Sequence, residues 1–355
     1  LDTLVPQTWL DFISVSVILH RRSFLCNHSP FFNARDRCLE QLVGLHDTPE
    51  ARSQRSRALR SIPAYIERSS HFFCVCPTVQ HRDQPGVICD FGSYLNNGDC
   101  RTQLFALMLA RHNNIPAIVV KGGDCAPFMV STFAAMTRVP GMGEYACCRR
   151  KHIIVDESGA PRTVPCEKES VGPIILTMLQ KRRQYHLGLS QWEMYRWFTA
   201  LQPSFMRGLP HRDRLTLPAT LEDFLAEYFF RSPADAARDK DSGVTPLMYC
   251  VLSGNLALTE TLLKRDDVNV NAQTLADVAA FGVPKSSSAL HAAMAYGSQN
   301  AREMIALLLA SGANPNLTAE GGKTALMAGP VAHNIETTES LIQCAGEKLD
   351  LEQGL

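Results

Sequence analysis

Three segments near the C-terminal end of the chain repeat one another, and internal repetition restricts architecture more than any composition can. Side by side they read GVTPLMYCVLSGNLALTETLLKRDDVNVNAQ, SSALHAAMAYGSQNAREMIALLLASGANPN and GKTALMAGPVAHNIETTESLIQCAGEKLDLE. Each position in phase has a physical reason. Thr245 can cap a helix whose first residue is Pro246, where the missing N–H costs nothing, and Leu247 begins a buried stripe. Small residues such as Ala292 and Ala293 let paired helices approach closely, the Leu307-Leu308-Leu309 triplet fills a second helix's core face, and Gly312 suits the left-handed turn that ends it.

The motif residues are Thr245-Pro246-Leu247, Gly254, Leu262-Leu263 and Asn269 or Asn271 in the first segment. The second has Ala289-Leu290-His291-Ala292-Ala293, Gly297, Gly312-Ala313 and Asn316, and the third Thr324-Ala325-Leu326, Leu341-Ile342 and Asp350. Together they resemble the ankyrin repeat. That family's period is about 33 residues, whereas Thr245 to Ser288 is 43 and Ser288 to Thr324 is 36. The excess fits an insertion over 274–286. The third copy departs at Gly329-Pro330, which should interrupt its first helix. So short an array needs an N-terminal cap; the helix expected over 221–230 behind Thr220 supplies one. The resemblance implies no chemistry, only a concave face of β-turn fingers and first helices that binds a protein partner. Its candidate contacts are Asp241, Ser242, Tyr249, Asn255, Ala289, Tyr296 and Ser298.

The first third alternates strand-like runs, TWLDFISV (8–15), FFCVCP (72–77) and IPAIVV (115–120), with helix-like segments over 51–70 and 99–114. Apolar runs of this length read as buried parallel strands, and the alternation as an open α/β sheet. Pro63 should kink or restart the first helix, and residues 20–50 read as a long connection or irregular helix. Ser61-Ile62, Tyr65-Ile66, Ser69, Phe72-Phe73, Cys76-Pro77 and Cys100 resemble the later half of a TIR-like domain, over roughly residues 8–122; an unrelated flavodoxin-like domain is the alternative. In TIR enzymes that cleave NAD, the motif around Cys100 carries a catalytic Glu. Here that place holds Gln103, and Asp99 stands where a Trp is expected. An amide can neither stabilise a developing oxocarbenium ion by charge nor take a proton at neutral pH. The resemblance therefore implies a degenerate active-site position and a scaffold; the rival reading is an NAD-cleaving TIR-type hydrolase targeted by its repeats.

The expected organisation is an α/β TIR-like domain with an open parallel sheet (1–125), an irregular α/β extension (126–218) and an all-α ankyrin-repeat solenoid with a capping helix (219–355). In the extension, KHIIVDE (151–157) reads as a strand, SGAPR as a turn and SQWEMYRWFTAL (190–201) as a helix.

Other stretches carry weaker signals. Lys121-Gly122-Gly123-Asp124 lacks the phosphate-loop pattern and reads as a plain turn. The basic clusters at 21–24, 148–152 and 180–186 are offset elsewhere, since 35 basic residues meet 35 acidic ones, so no nucleic-acid partner is expected. Twelve cysteines spread through apolar runs read as reduced core thiols in a cytoplasmic protein. Cys147-Cys148 does not give the C-x-x-C spacing of structural zinc, so neither metal nor cofactor is expected. No apolar run reaches the roughly 20 residues of a membrane span. The opening at Leu1 reads as a fragment of something longer.

Overall fold

The computed structural model describes residues 15–20, 49–80, 86–111, 116–155, 160–210, 217–230, 242–297, 300–332 and 334–351. Residues 8–14 of the first expected strand, residues 21–48, Asp241 and Ser298 lie outside these. The chain divides into two compact units. One holds the residues up to Ser131 with Arg138–Met178 and Gly208–His211, the other Thr132–Thr137, Leu179–Arg207 and Arg212 onward.

In the first unit, strands β1 (Val15–His20), β2 (Ser69–Val75), β3 (Ala117–Val120) and β4 (Phe128–Met129) lie in that order. β2 and β3 are parallel, Phe72 pairing with Ala117, and the helices between them make the expected crossover. The two flanks are antiparallel, Val15 pairing with Val75 and Ile118 with Met129, so the sheet is mixed and not an open parallel one. Burial gives the physical reason. Phe72, Cys74 and Cys76 are buried while Phe73 and Val75 between them are only half-buried, the period-2 alternation of a strand whose second face is not fully covered. A continuous apolar run had concealed that alternation.

Helix α1 (Pro49–Glu67) continues through Pro63 as one element. The helix expected over 99–114 forms as α3 (Gly98–Met108), and a second helix, α2 (Phe91–Asn96), precedes it. Asp90 and Ser93 form a reciprocal capping box on α2. Asn97 ends α2 and caps α3, its side chain accepting from the Asp99 and Cys100 N–H groups at 3.0 and 3.1 Å. Gly98 is required by proximity: a Cβ there would sit 2.2 Å from the Tyr145 ring. Helix α4 (Ala146–Arg149), the hairpin of β5 (Ile153–Val155) and β6 (Pro161–Thr163), and the first half of α5 (Lys168–Gly188) complete this unit. The apolar run at 171–179 lies within α5.

The second unit contains α6 (Trp192–Ala200), α7 (Gln202–Phe205) and α8 (Leu221–Glu227). Three helix pairs follow: α9 (Pro246–Ser253) with α10 (Leu256–Leu263), α11 (Ala289–Tyr296) with α12 (Ala301–Ala310), and α13 (Ala325–Val331) with α14 (Ile335–Ala345). First helices stack in the order α9, α11, α13 and second helices in the order α10, α12, α14. The capping logic holds in detail. Thr220 accepts from Asp223 N–H and Thr245 from Met248 N–H, and Gly312 takes the left-handed φ of 88°. Helix α8 reaches the first repeat through Phe224, Tyr228 and Tyr249, whose rings follow one another at centroid distances of 4.4 and 5.9 Å.

Asparagines tie successive repeats. The Asn271 side chain donates to Gly312 O at 3.0 Å and accepts from Asn314 N–H at 2.8 Å. One repeat on, Asn316 donates to Lys348 O at 2.8 Å and accepts from Asp350 N–H at 2.9 Å. Gly329-Pro330 does not interrupt α13. Pro330 is its penultimate residue, where little helix remains to break, and Ala332 N–H still bonds Ala328 O at 3.0 Å.

Candidate interaction surface and thiol cluster

The structure buries every expected contact residue that it describes: Ser242, Tyr249, Asn255, Ala289 and Tyr296 are all under 9% exposed. Each has an internal task. Ser242 accepts Leu275 N–H through its carbonyl at 2.6 Å, and Asn255 caps α10 while donating to Pro218 O at 2.9 Å. Ala289 opens α11. Tyr249 and Tyr296 belong to an aromatic core.

That core is built by the chain's own segments on the first-helix row. Helices α6 and α7 pack on α9, Ser204 Oγ donates to Tyr296 O at 3.0 Å, and Arg207 donates to Gly297 O at 3.2 Å. Trp197 lies edge-on to Tyr249 at 5.9 Å and stacks on Phe281 at 4.7 Å with 14° between planes. Phe281 comes from the expected insertion. Its flanks are pinned by bonds from Thr274 N–H to Ser287 O (2.9 Å) and from Val278 N–H to Val283 O (2.8 Å), and Tyr296 Oη donates to its carbonyl. Gly282, at φ 61°, ends its short turn where a Cβ would meet Phe133 at 2.5 Å. The insertion is thus a core-forming finger. Array logic places a partner on the first helices; here the same chain fills that place, and no periodicity could have announced it.

What remains exposed in the repeats is the finger tips and the outer helix faces. Leu275 is 51% exposed, and Asp277, Ala279 and Lys285 of the same finger are exposed as well. The second finger pairs β7 (Thr318–Ala319) with β8 (Lys323–Thr324) and exposes Glu320 to Lys323. The two fingers are linked: Glu320 N–H donates to Lys285 O at 2.9 Å, and Gln273 Nε2 to Ser286 O and Thr318 O at 2.6 and 3.1 Å. His291 locks the second finger from beneath. Its Nδ1 accepts Ser288 N–H at 3.2 Å, which leaves Nε2–H to donate to Lys323 O at 3.1 Å. Burial pushes its pKa below the usual imidazole value, partly opposed by the Lys323 carbonyl, so the neutral form is the native one.

Gln103 stands within α3, partly buried, between buried Thr102 and Leu104. Thr102 Oγ1 donates to Gly98 O at 2.8 Å, and Cys100 is buried beside Asp99 with Cys74 and Cys76 near enough to interact electrostatically. Burial raises the Cys100 and Cys74 thiols well above the ordinary cysteine value, so both are neutral.

One cluster in the first unit was missed by sequence reasoning. Cys147 and Cys148 on α4 meet Cys166, eighteen residues beyond Cys148, with Sγ–Sγ distances of 3.8 Å (147–148) and 3.7 Å (148–166). All three sulfurs lie within 4.8 Å of one another. The signal was a Cys-Cys pair followed by a third cysteine at a hairpin's length; it fails the C-x-x-C test because the sulfurs come from non-adjacent elements.

Comparison with known families gives one result. The family model described as Ankyrin repeat matches residues 242–275 and 286–320. The gap between the matches falls in the inserted finger, and the matches stop short of the third helix pair. No curated protein matches the chain. No helix among the described residues is long and apolar enough to cross a membrane.

Proposed function

We propose that this chain, with its two ankyrin repeats, is a protein-recruiting scaffold whose partner is held by the repeat fingers and not by the first-helix face. One observation carries the reading: α6, α7 and Phe281 occupy the helix row, while Leu275, Asp277, Lys285, Glu320 and Lys323 remain exposed on turns fixed by backbone hydrogen bonds. Rigid exposed turns lose little conformational entropy on association, and an apolar side chain flanked by charges of both signs is the composition of a small interface centre with a polar rim. The N-terminal unit is assigned no NAD cleavage, because Gln103 supplies no carboxylate where the TIR resemblance requires one.

A photo-crosslinking residue at position 275, and separately at Ile342 on α14, tests the assignment in cells. Crosslinks to one discrete protein from position 275 but not 342 are expected. Leu275→Asp with Lys323→Glu should abolish capture of that protein with the melting temperature unchanged. Capture that survives both substitutions, or crosslinks confined to position 342, would refute the finger site.

A further inference from the structure

The thiol cluster has the dimensions of a coordination site. Around a tetrahedral zinc ion with Zn–S bonds of about 2.3 Å, neighbouring sulfurs stand ~3.8 Å apart; two edges here are 3.8 and 3.7 Å, and the third pair lies within 4.8 Å. We propose that Cys147, Cys148 and Cys166 bind one zinc ion through three thiolates, with the fourth position left to water or to the carboxylate of Glu167.

Four further observations fit a cation held by thiolates there. The sulfurs are supplied with donors: Glu167 N–H reaches Cys147 Sγ at 3.4 Å, and the Lys168 backbone donates to Cys166. N–H···S bonds of this kind orient and stabilise metal-bound thiolates. Those donors open α5, a 21-residue helix whose N-terminal dipole favours negative charge. The connection is also held in a costly conformation. Lys151 and His152, neither of them glycine, take consecutive left-handed φ values of 51° and 61°. His152 N–H bonds Cys147 O at 2.7 Å and Val164 N–H bonds His152 O at 2.8 Å, so this strained turn is what brings the hairpin back and sets Cys166 against α4. Finally, Cys148 and Cys166 are only partly buried, which leaves an entry path for an ion.

Each thiol that becomes a ligand exchanges its S–H bond for a Zn–S bond and releases its proton to solvent. The competing product of the same geometry, a Cys148–Cys166 disulfide, would use two sulfurs and leave Cys147 unpartnered. Three converging thiols with amide donors favour the metal.

The full chain, stripped with chelator and kept reduced, is titrated with Co2+ and then Zn2+. Thiolate-to-cobalt charge-transfer absorption saturating at one ion per chain, proton release on binding, and displacement by Zn2+ are expected. Cys166→Ser should weaken binding by about 100-fold or more, while Cys344→Ser, which removes a partly buried thiol of the other unit, should leave it unchanged. The wild-type titration stands even where a variant folds poorly. The assignment is overturned by a wild-type protein without charge-transfer absorption, by binding of Cu(I) but not Zn2+, by Cys344→Ser losing as much as Cys166→Ser, or by alkylation mass showing a Cys148–Cys166 disulfide in place of metal.

Discussion

Asn271 and Cys148 illustrate two ways in which one chain specifies a contact. Asn271 bonds the backbone one repeat ahead, and Asn316 does the same one repeat later, so the neighbour of either follows from its place in the period. Cys148 meets Cys166 only because a hairpin and two left-handed residues intervene. The lesson is about range. Where contacts repeat at fixed spacing, a short pattern carries the architecture; where they depend on a singular turn, the residues are visible in the sequence but their meeting is not.

The contrast can be broken at three places. The largest effect belongs to Trp197, which joins the repeats to residues outside the periodic pattern. Trp197→Ala removes a fully buried ring stacked on Phe281 and should cost about 3–5 kcal/mol in denaturant unfolding. A loss below 1 kcal/mol would mean that the repeats stand without their aromatic filling.

The next is a pH effect. The folded-state pKa of His291 is depressed, so the unfolded chain binds more protons below the ordinary imidazole value of 6.5. Stability should therefore hold above that value and fall as pH drops beneath it. His291→Gln keeps a capping-box residue at the third helical position but removes the titration. It should cost about 1 kcal/mol at neutral pH through the lost Lys323 link and flatten the fall between pH 6.5 and 5. An unchanged pH profile would exclude His291 as its source.

The smallest effect tests the singular turn. Lys151→Gly relieves a left-handed φ at an exposed position and should raise stability by a few tenths to about 1 kcal/mol. A fall instead would show that the Lys151 side chain holds the turn.

Helix capping was legible. Thr220 and Thr245 cap where expected, the helix over 190–201 forms as Trp192–Ala200, and the ankyrin pattern at 242–320 is real. The sheet was half legible: β2 and β3 pair in parallel as read, but apolar runs do not reveal strand direction, so the antiparallel flanks were invisible. The burial of the expected contact residues was not legible, because Tyr249 and Tyr296 occupy positions that an isolated array would expose. Their burial depends on Trp197, Ser204 and Phe281, none of which the repeat pattern includes.

Phe281 and Ser204 also alter how the repeats can be assembled. A simple array folds by nearest-neighbour addition, each unit nucleating the next. Here Tyr296 accepts a hydrogen bond from Ser204, ninety-two residues upstream in the chain, and loop closure of that length must precede the contact. The contact that Ser204 makes with the second repeat therefore carries a larger closure cost than a contact between neighbouring helices, and it forms only once both segments are present.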